Sequence, residues 1–367
     1  MSTLFDPVPF GALELPNRLV MSPMGRGRTT VDGTPLPVMA EYYAQRAAAG
    51  LVISEATHPS AIAVGHAHSV RLCTAEQARA WAGIVDRVHR HGGRMYLQIM
   101  HAGRISHPDL HGETPLAPSA VPADGTARVF HGKPAYPVPR PMTEDDIART
   151  VEDFARCART AAEIGFDGVE IHGANGYLLH QFLASATNRR TDAHGGDVAG
   201  RIRFAVDVAR AVVAAVGPER VGMRLSPGFP LNDMTEPDRA EIYPALLTEL
   251  GRLGIGHVHF VAGSDPDLVR RLSHQWERTV IVNGGTGPLD TEATLAAADR
   301  ALRDGADLLS FGRQFLANPD LPDRLRTGAP LNAWQPPFFY EGGACGYTDY
   351  PVLSETARDT TAATATH

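Results

Sequence analysis

Eight short apolar runs recur along the chain: RLVMS (18–22), LVISEA (51–56), MYLQIM (95–100), GVEIH (168–172), VGMRLS (221–226), HVHFVA (257–262), TVIVNG (279–284) and DLLSFG (307–312). Most are near-continuously apolar, the pattern of parallel strands buried on both faces. Segments with apolar residues at helical spacing lie between them. TEDDIARTVEDFARCARTAAEIG (143–165) opens on Thr143 and acidic residues suited to an N-cap, and 201–217 and 290–305 keep the same period. Eight strand–helix units in one chain predict a (β/α)8 barrel of the TIM type, a single α/β domain over residues 1–353. The alternative, a doubly wound dinucleotide-binding sheet, calls for a G-x-G-x-x-G turn between strand and helix. GRGRTT (25–30) follows a strand but lacks the third glycine.

One connection breaks the rhythm. Residues 101–142, after the third strand, carry eight prolines and no helical period. A loop of that length is expected to be a functional lid, here over the C-terminal mouth of the barrel. The small, polar tail 354–367 is expected to be disordered.

Composition narrows the function classes. At 367 residues with 43% hydrophobic content, the chain can fill a large core. A net charge of −7 argues against a nucleic-acid surface. Cys73, Cys157 and Cys345 lie far apart, so neither a disulfide framework nor a cysteine-rich metal site is expected. His101, His107, His111 and His131 crowd the expected lid without zinc-like ligand spacing, so no metal is predicted. The N-terminus lacks a secretory pattern, and no run approaches 18 apolar residues. The expectation is a soluble cytoplasmic protein, monomeric or homodimeric, with no nucleic-acid or membrane partner.

In a barrel of this kind, chemistry gathers at the C-terminal strand ends. NGGTG (283–287) follows strand seven and FGR (311–313) follows strand eight, offering bare backbone amides and a guanidinium. Loops at those two places commonly bind phosphate, and an arginine there can contact it bidentately. Gln98, at the end of strand three, can both donate to and accept from a flat ring with imide-like edges. Arg224, at the end of strand five, either balances electron density on such a ring or serves as an ion-pair residue of the rim. EIHGANGYLLHQF (170–182) sets His172, Asn175 and Tyr177 close together at the end of strand four. They are either solvated polar residues of a strand end, or a site that holds a carbonyl oxygen while a phenol delivers a proton.

Several blocks along the chain, in order, resemble the Old Yellow Enzyme family of FMN-dependent ene-reductases. They include LFDPVPFGALELPNRLVMSPM (4–24), YYAQRAAAGLVISEAT (42–57), LQIMHAGRISH (97–107), GVEIHGANGYLLHQFL (168–183), NRRTDAHGGD (188–197), VGMRLSP (221–227), FGRQFLANPDLPDRL (311–325) and FYEGGACGYTDYP (339–351). The resemblance implies tightly bound, non-covalent FMN and NAD(P)H as hydride donor. It puts Pro23, Met24, Gly25, Ala56, Gln98 and Arg224 against the flavin ring, and Gly284, Gly285, Thr286, Gly312 and Arg313 around its phosphate. His172 and Asn175 match the pair that holds the carbonyl of an enone substrate and the carboxamide of the nicotinamide. Tyr177 matches the proton donor to the α-carbon, while the flavin N5 hydride goes to the β-carbon. Tyr340 matches an aromatic residue at the substrate mouth.

The chain departs from the family pattern twice. Gly25 stands where the family has a hydroxyl or thiol beside the flavin C4 carbonyl. Met100 stands where it has a tryptophan beside the substrate, a flexible thioether in place of a rigid ring. These changes bear on turnover, substrate range and facial selectivity. They suit a general reductase, and also a specialised natural-product tailoring enzyme of the same family running desaturation or isomerisation.

Overall fold

In the computed structural model, which describes residues 3–263, 265–284 and 290–353, all eight runs form strands of one closed barrel. They are β1 (Leu19–Met21), β2 (Leu51–Ile53), β3 (Met95–Ile99), β4 (Gly168–Gly173), β5 (Val221–Leu225), β6 (His257–Val261), β7 (Thr279–Asn283) and β8 (Leu308–Phe311). Each pairs in parallel with the next, and β8 closes on β1. The (β/α)8 expectation is met, as a single α/β domain.

Strand alternation sorts the side chains into two environments. On β4, Val169 and Ile171 join the main hydrophobic cluster with the helices, while Glu170 and His172 are equally buried but lie outside it. On β6, Val258 and Phe260 belong to that cluster and His257 and His259 do not. The barrel interior therefore carries a polar layer, with Gln98 opposite Glu170 and His172 opposite Arg224 in register. Beneath it, Val20, Leu51, Ile53, Tyr96, Ile281 and Leu308 pack on an N-terminal antiparallel hairpin, Val8–Phe10 with Leu13–Leu15. That hairpin plugs the bottom of the barrel, leaving the C-terminal mouth for function.

The helices follow their sequence signals. Residues Glu144–Glu163 form one, and Thr143 closes a capping box with Asp146 at its start. Segment 101–142 is built rather than loose. It contains a short helix, Pro108–His111, and a parallel pairing of Leu116–Ala117 with Arg140–Pro141. Its buried Arg104 donates to the carbonyls of Pro122 (2.9 Å) and Asp233 (2.8 Å). The expected tail, 354–367, lies outside the described residues.

Candidate active site

Two cavities at the C-terminal mouth share Pro23, Gly25, Arg224 and Tyr340 and so make one cleft. The deeper part is lined by Ala56, Gln98, Met100, His172, Asn175 and Tyr177. The outer part runs along the ends of β6 to β8, past Met24, Asn283, Gly312 and Arg313. The structure thus gathers most of the sequence-predicted residues into a single space. Gly284 borders a separate pocket between β7, β8 and helix Thr291–Arg303, and Gly285 and Thr286 lie outside the described residues.

The floor is a connected polar network. Glu170 accepts from Gln98 Nε2 (2.7 Å) and from His259 Nδ1 (2.8 Å). His259 Nε2 meets Ser310 Oγ at 2.7 Å, and Asn283 donates to Ser310 Oγ (3.0 Å) and Ser22 Oγ (2.9 Å). Burial pushes His259 down to about 4, so its neutral ring donates Nδ1–H to the carboxylate and accepts a hydrogen bond from the serine hydroxyl at Nε2. Burial opposes ionisation of Glu170, but His259 and His257 outweigh it and hold the carboxyl well below its usual range. Gln98 is thereby oriented from below, with one amide N–H committed and its remaining polar edge in the cleft. Arg224 is buried with Nε lacking a partner; burial lowers its pKa and the Glu170 charge opposes that.

On the wall, His172 is pushed down to about 3 by burial and by the Arg224 charge, and its Nδ1 has no hydrogen-bond partner. Asn175 takes a left-handed conformation (φ 58°), and its buried Oδ1 is also unpartnered. Its turn is fixed from behind: Asn175 N donates to Ser226 Oγ (2.8 Å), Gly176 N to His180 Nδ1 (2.9 Å), and Gln181 Nε2 to the Gly176 carbonyl (2.8 Å). Tyr177 caps the short helix Leu178–Leu183 and stands 5.3 Å from the His172 ring. Burial pushes its phenol up to about 12, so it carries its proton throughout the neutral range.

Unpartnered buried polar atoms are costly unless a ligand satisfies them. Arg224, His172 and Asn175 line one cleft, and each carries such an atom. Arg224 and the polar edge of Gln98 suit the electron-rich edge of a flavin. Arg313, exposed beside the outer groove and stacked on Trp334 (5.2 Å), suits its phosphate. At Gly25 a side chain would meet nothing within 4 Å. The residues present fit FMN.

Several cleft residues escaped the sequence analysis. His58, His66, His68 and Arg128 line its inner end, from the loop after β2 and from segment 101–142. Glu55 is buried there with its carboxyl raised to about 7 by burial, and it accepts from Arg26 N at 3.2 Å. GRGRTT, weighed above as a nucleotide turn, is instead an anchor for the C-terminal loop. Arg26 donates to the carbonyls of Phe339 (2.9 Å) and Gly346 (2.8 Å), and Arg28 to those of Phe338 (3.0 Å) and Cys345 (3.1 Å). Gly27, at φ +64, lies so near the Tyr340 carbonyl that a Cβ would stand 2.5 Å from it. These contacts hang Tyr340 over the mouth.

The fold and cleft define a flavin-dependent barrel oxidoreductase. The sequence model of the NADH:flavin oxidoreductase / NADH oxidase family matches residues 3–332. The chain is 40% identical to 12-oxophytodienoate reductase 1 of Oryza sativa subsp. japonica, covering 96% of this chain and 93% of that one. It is 39% identical to chanoclavine-I aldehyde reductase of Penicillium roqueforti (strain FM164), over 97% and 98%. Morphinone reductase, solved with tetrahydroNAD, superimposes with a TM-score of 0.91 at 40% identity over 96% of this chain and 98% of that chain. The old yellow enzyme homologue from Zymomonas mobilis gives 0.92 at 38%, over 96% and 100%. The chain belongs to this family, the Old Yellow Enzymes, and is an FMN-dependent NAD(P)H oxidoreductase. No helix among the described residues is long and apolar enough to cross a membrane.

Proposed function

We propose that the protein reduces the activated C=C bond of α,β-unsaturated carbonyl compounds, with His172, Asn175 and Tyr177 acting on the substrate. The observation that carries this reading is the placement of His172 and Asn175 in one cleft beside a protonated phenol. FMN, when bound, supplies the hydride transfer that links NAD(P)H to the substrate.

The chain's own residues do the rest. Gln98, Arg224, Pro23, Met24, Gly25 and Ala56 hold the ring, and Gly312 and Arg313 hold the phosphate together with Gly284, Gly285 and Thr286. His172, neutral at working pH, donates to the substrate carbonyl with the Asn175 amide. Negative charge grows on that oxygen as the β-carbon is reduced, so both donors stabilise the transition state more than the ground state. Tyr177 gives its phenolic proton to the α-carbon. The same pair orients the nicotinamide carboxamide in the other half-reaction. Met100 and Tyr340 bound the substrate, and segment 101–142 covers the inner end of the cleft. The open space at Gly25 favours reduction over desaturation, because a flavin without that hydroxyl donor gives up electrons more readily.

Anaerobic mixing with NADH or NADPH and then with 2-cyclohexenone tests this. Bleaching of the flavin followed by reoxidation with formation of cyclohexanone is expected. Bleaching with no reoxidation by any enone would overturn the substrate assignment.

A further inference from the structure

The inner end of the cleft holds a cation that forms no ion pair with any described residue. The Arg128 guanidinium lies 3.9 Å over the Tyr340 ring and lines the same cavity as His172, Asn175 and Tyr177. The guanidinium makes no hydrogen bond or ion pair with any described residue, and the exposed Glu341 acts on it only through longer-range attraction. The neighbouring His66 leaves a buried Nδ1 unpartnered, while its Nε2 stands 3.4 Å from the Tyr177 hydroxyl.

The backbone that presents Arg128 is fixed. Its carbonyl accepts from Ala67 N (2.9 Å), Ala127 N donates to the Pro134 carbonyl (2.8 Å), and Thr126 bridges Ala135. The Phe130 ring packs edge-on against His68 (5.4 Å). With one face covered by Tyr340, the guanidinium offers its in-plane N–H groups to the cleft, the geometry that matches a carboxylate. A half-buried cation without a contacting counter-charge is poised for an anionic ligand.

We propose that the substrate is an enone bearing a carboxylate, which Arg128 takes up while His172 and Asn175 hold the carbonyl. This rests on the enone-reductase reading of the same cleft. A single guanidinium, with His66 as a further hydrogen-bonding group, matches one carboxylate. The other source of an anion is a phosphate of the nicotinamide donor.

The test compares a 2-cyclohexenone carrying a ring carboxylate with its methyl ester, in wild type, Arg128→Gln and Arg128→Lys holoenzymes. Binding of the saturated carboxylate and its ester is followed in parallel by perturbation of the flavin spectrum. Wild type should prefer the acid in both kcat/KM and binding. Arg128→Gln should cut that preference about tenfold to a hundredfold, the scale of a charge-assisted hydrogen bond, and Arg128→Lys should restore part of it. Equal use of acid and ester by wild type, or a preference that survives Arg128→Gln, would overturn the proposal. An unchanged acid-to-ester ratio with weakened NADPH but not NADH binding would overturn it in favour of the donor phosphate. If neither enone is turned over yet the saturated acid binds through Arg128, the reductase reading fails and the anion subsite stands.

Discussion

Gln98 and Glu170 face each other across β3 and β4, joined by a 2.7 Å hydrogen bond from Nε2 to Oε1. The carboxylate fixes the amide proposed to contact the flavin, and the Arg224 charge acts on it. Glu170→Gln removes that charge and puts an amide N–H against the donors of Gln98 or His259. The expected loss is about 1–3 kcal/mol of stability, with weaker retention of FMN. Thermal denaturation and the fluorescence of released FMN measure the two effects. Unchanged values for both would deny the network its positioning role.

Glu55 gives a pH dependence whose sign follows from its burial. Its carboxyl is raised from 4.5 to about 7, so the folded state holds a proton that the unfolded state has released between those values. Stability therefore falls as pH rises through that window, and the full penalty, roughly 3 kcal/mol, is present above it. Glu55→Gln keeps one acceptor, for Arg26 N, and carries no such penalty. The variant should melt higher than wild type at pH 8, and the two curves should converge towards pH 4. His172 at about 3 and Tyr177 at about 12 do not titrate in this range. Any inflection of the enone half-reaction near pH 7 should accordingly vanish in Glu55→Gln.

Gly25 leaves room for the hydroxyl donor that the family pattern has there. Gly25→Thr should stabilise the electron-rich reduced flavin by a hydrogen bond to a charged group, about 1.5–3 kcal/mol. At about 30 mV per 1.4 kcal/mol for two electrons, the midpoint potential should rise by roughly 30–60 mV. Reduction by the nicotinamide should speed up and reoxidation by enone should slow. Spectroelectrochemical titration gives the potential, and no rise with the threonine seated on the carbonyl would refute the tuning argument.

The fold was legible because parallel strands buried on both sides read as apolar runs, and Thr143 announces its helix. The site was legible where chemistry-bearing residues sit at strand ends: Gln98, His172 and Arg224 are placed by the barrel itself. What stayed hidden depends on contacts distant in sequence. Arg26 and Arg28 look like a nucleotide turn until their carbonyl partners, 338–346, are seen. His66 and Arg128 come from irregular segments with no period to place them. Glu170 and His259 sit inside runs read as apolar, and only alternation across a closed barrel turns them inward together.

The central claim is that His172 and Asn175 hold the carbonyl group in both half-reactions while Tyr177 supplies the proton in one. Anaerobic stopped-flow measurement of each half-reaction in Tyr177→Phe, and in His172→Ala combined with Asn175→Ala, tests it directly. Tyr177→Phe should be reduced by NAD(P)H at close to the wild-type rate and reoxidised by 2-cyclohexenone about 10²–10⁴-fold more slowly. The double variant should be impaired in both steps. Wild-type reoxidation in Tyr177→Phe, or a double variant slowed in neither step, would contradict the account.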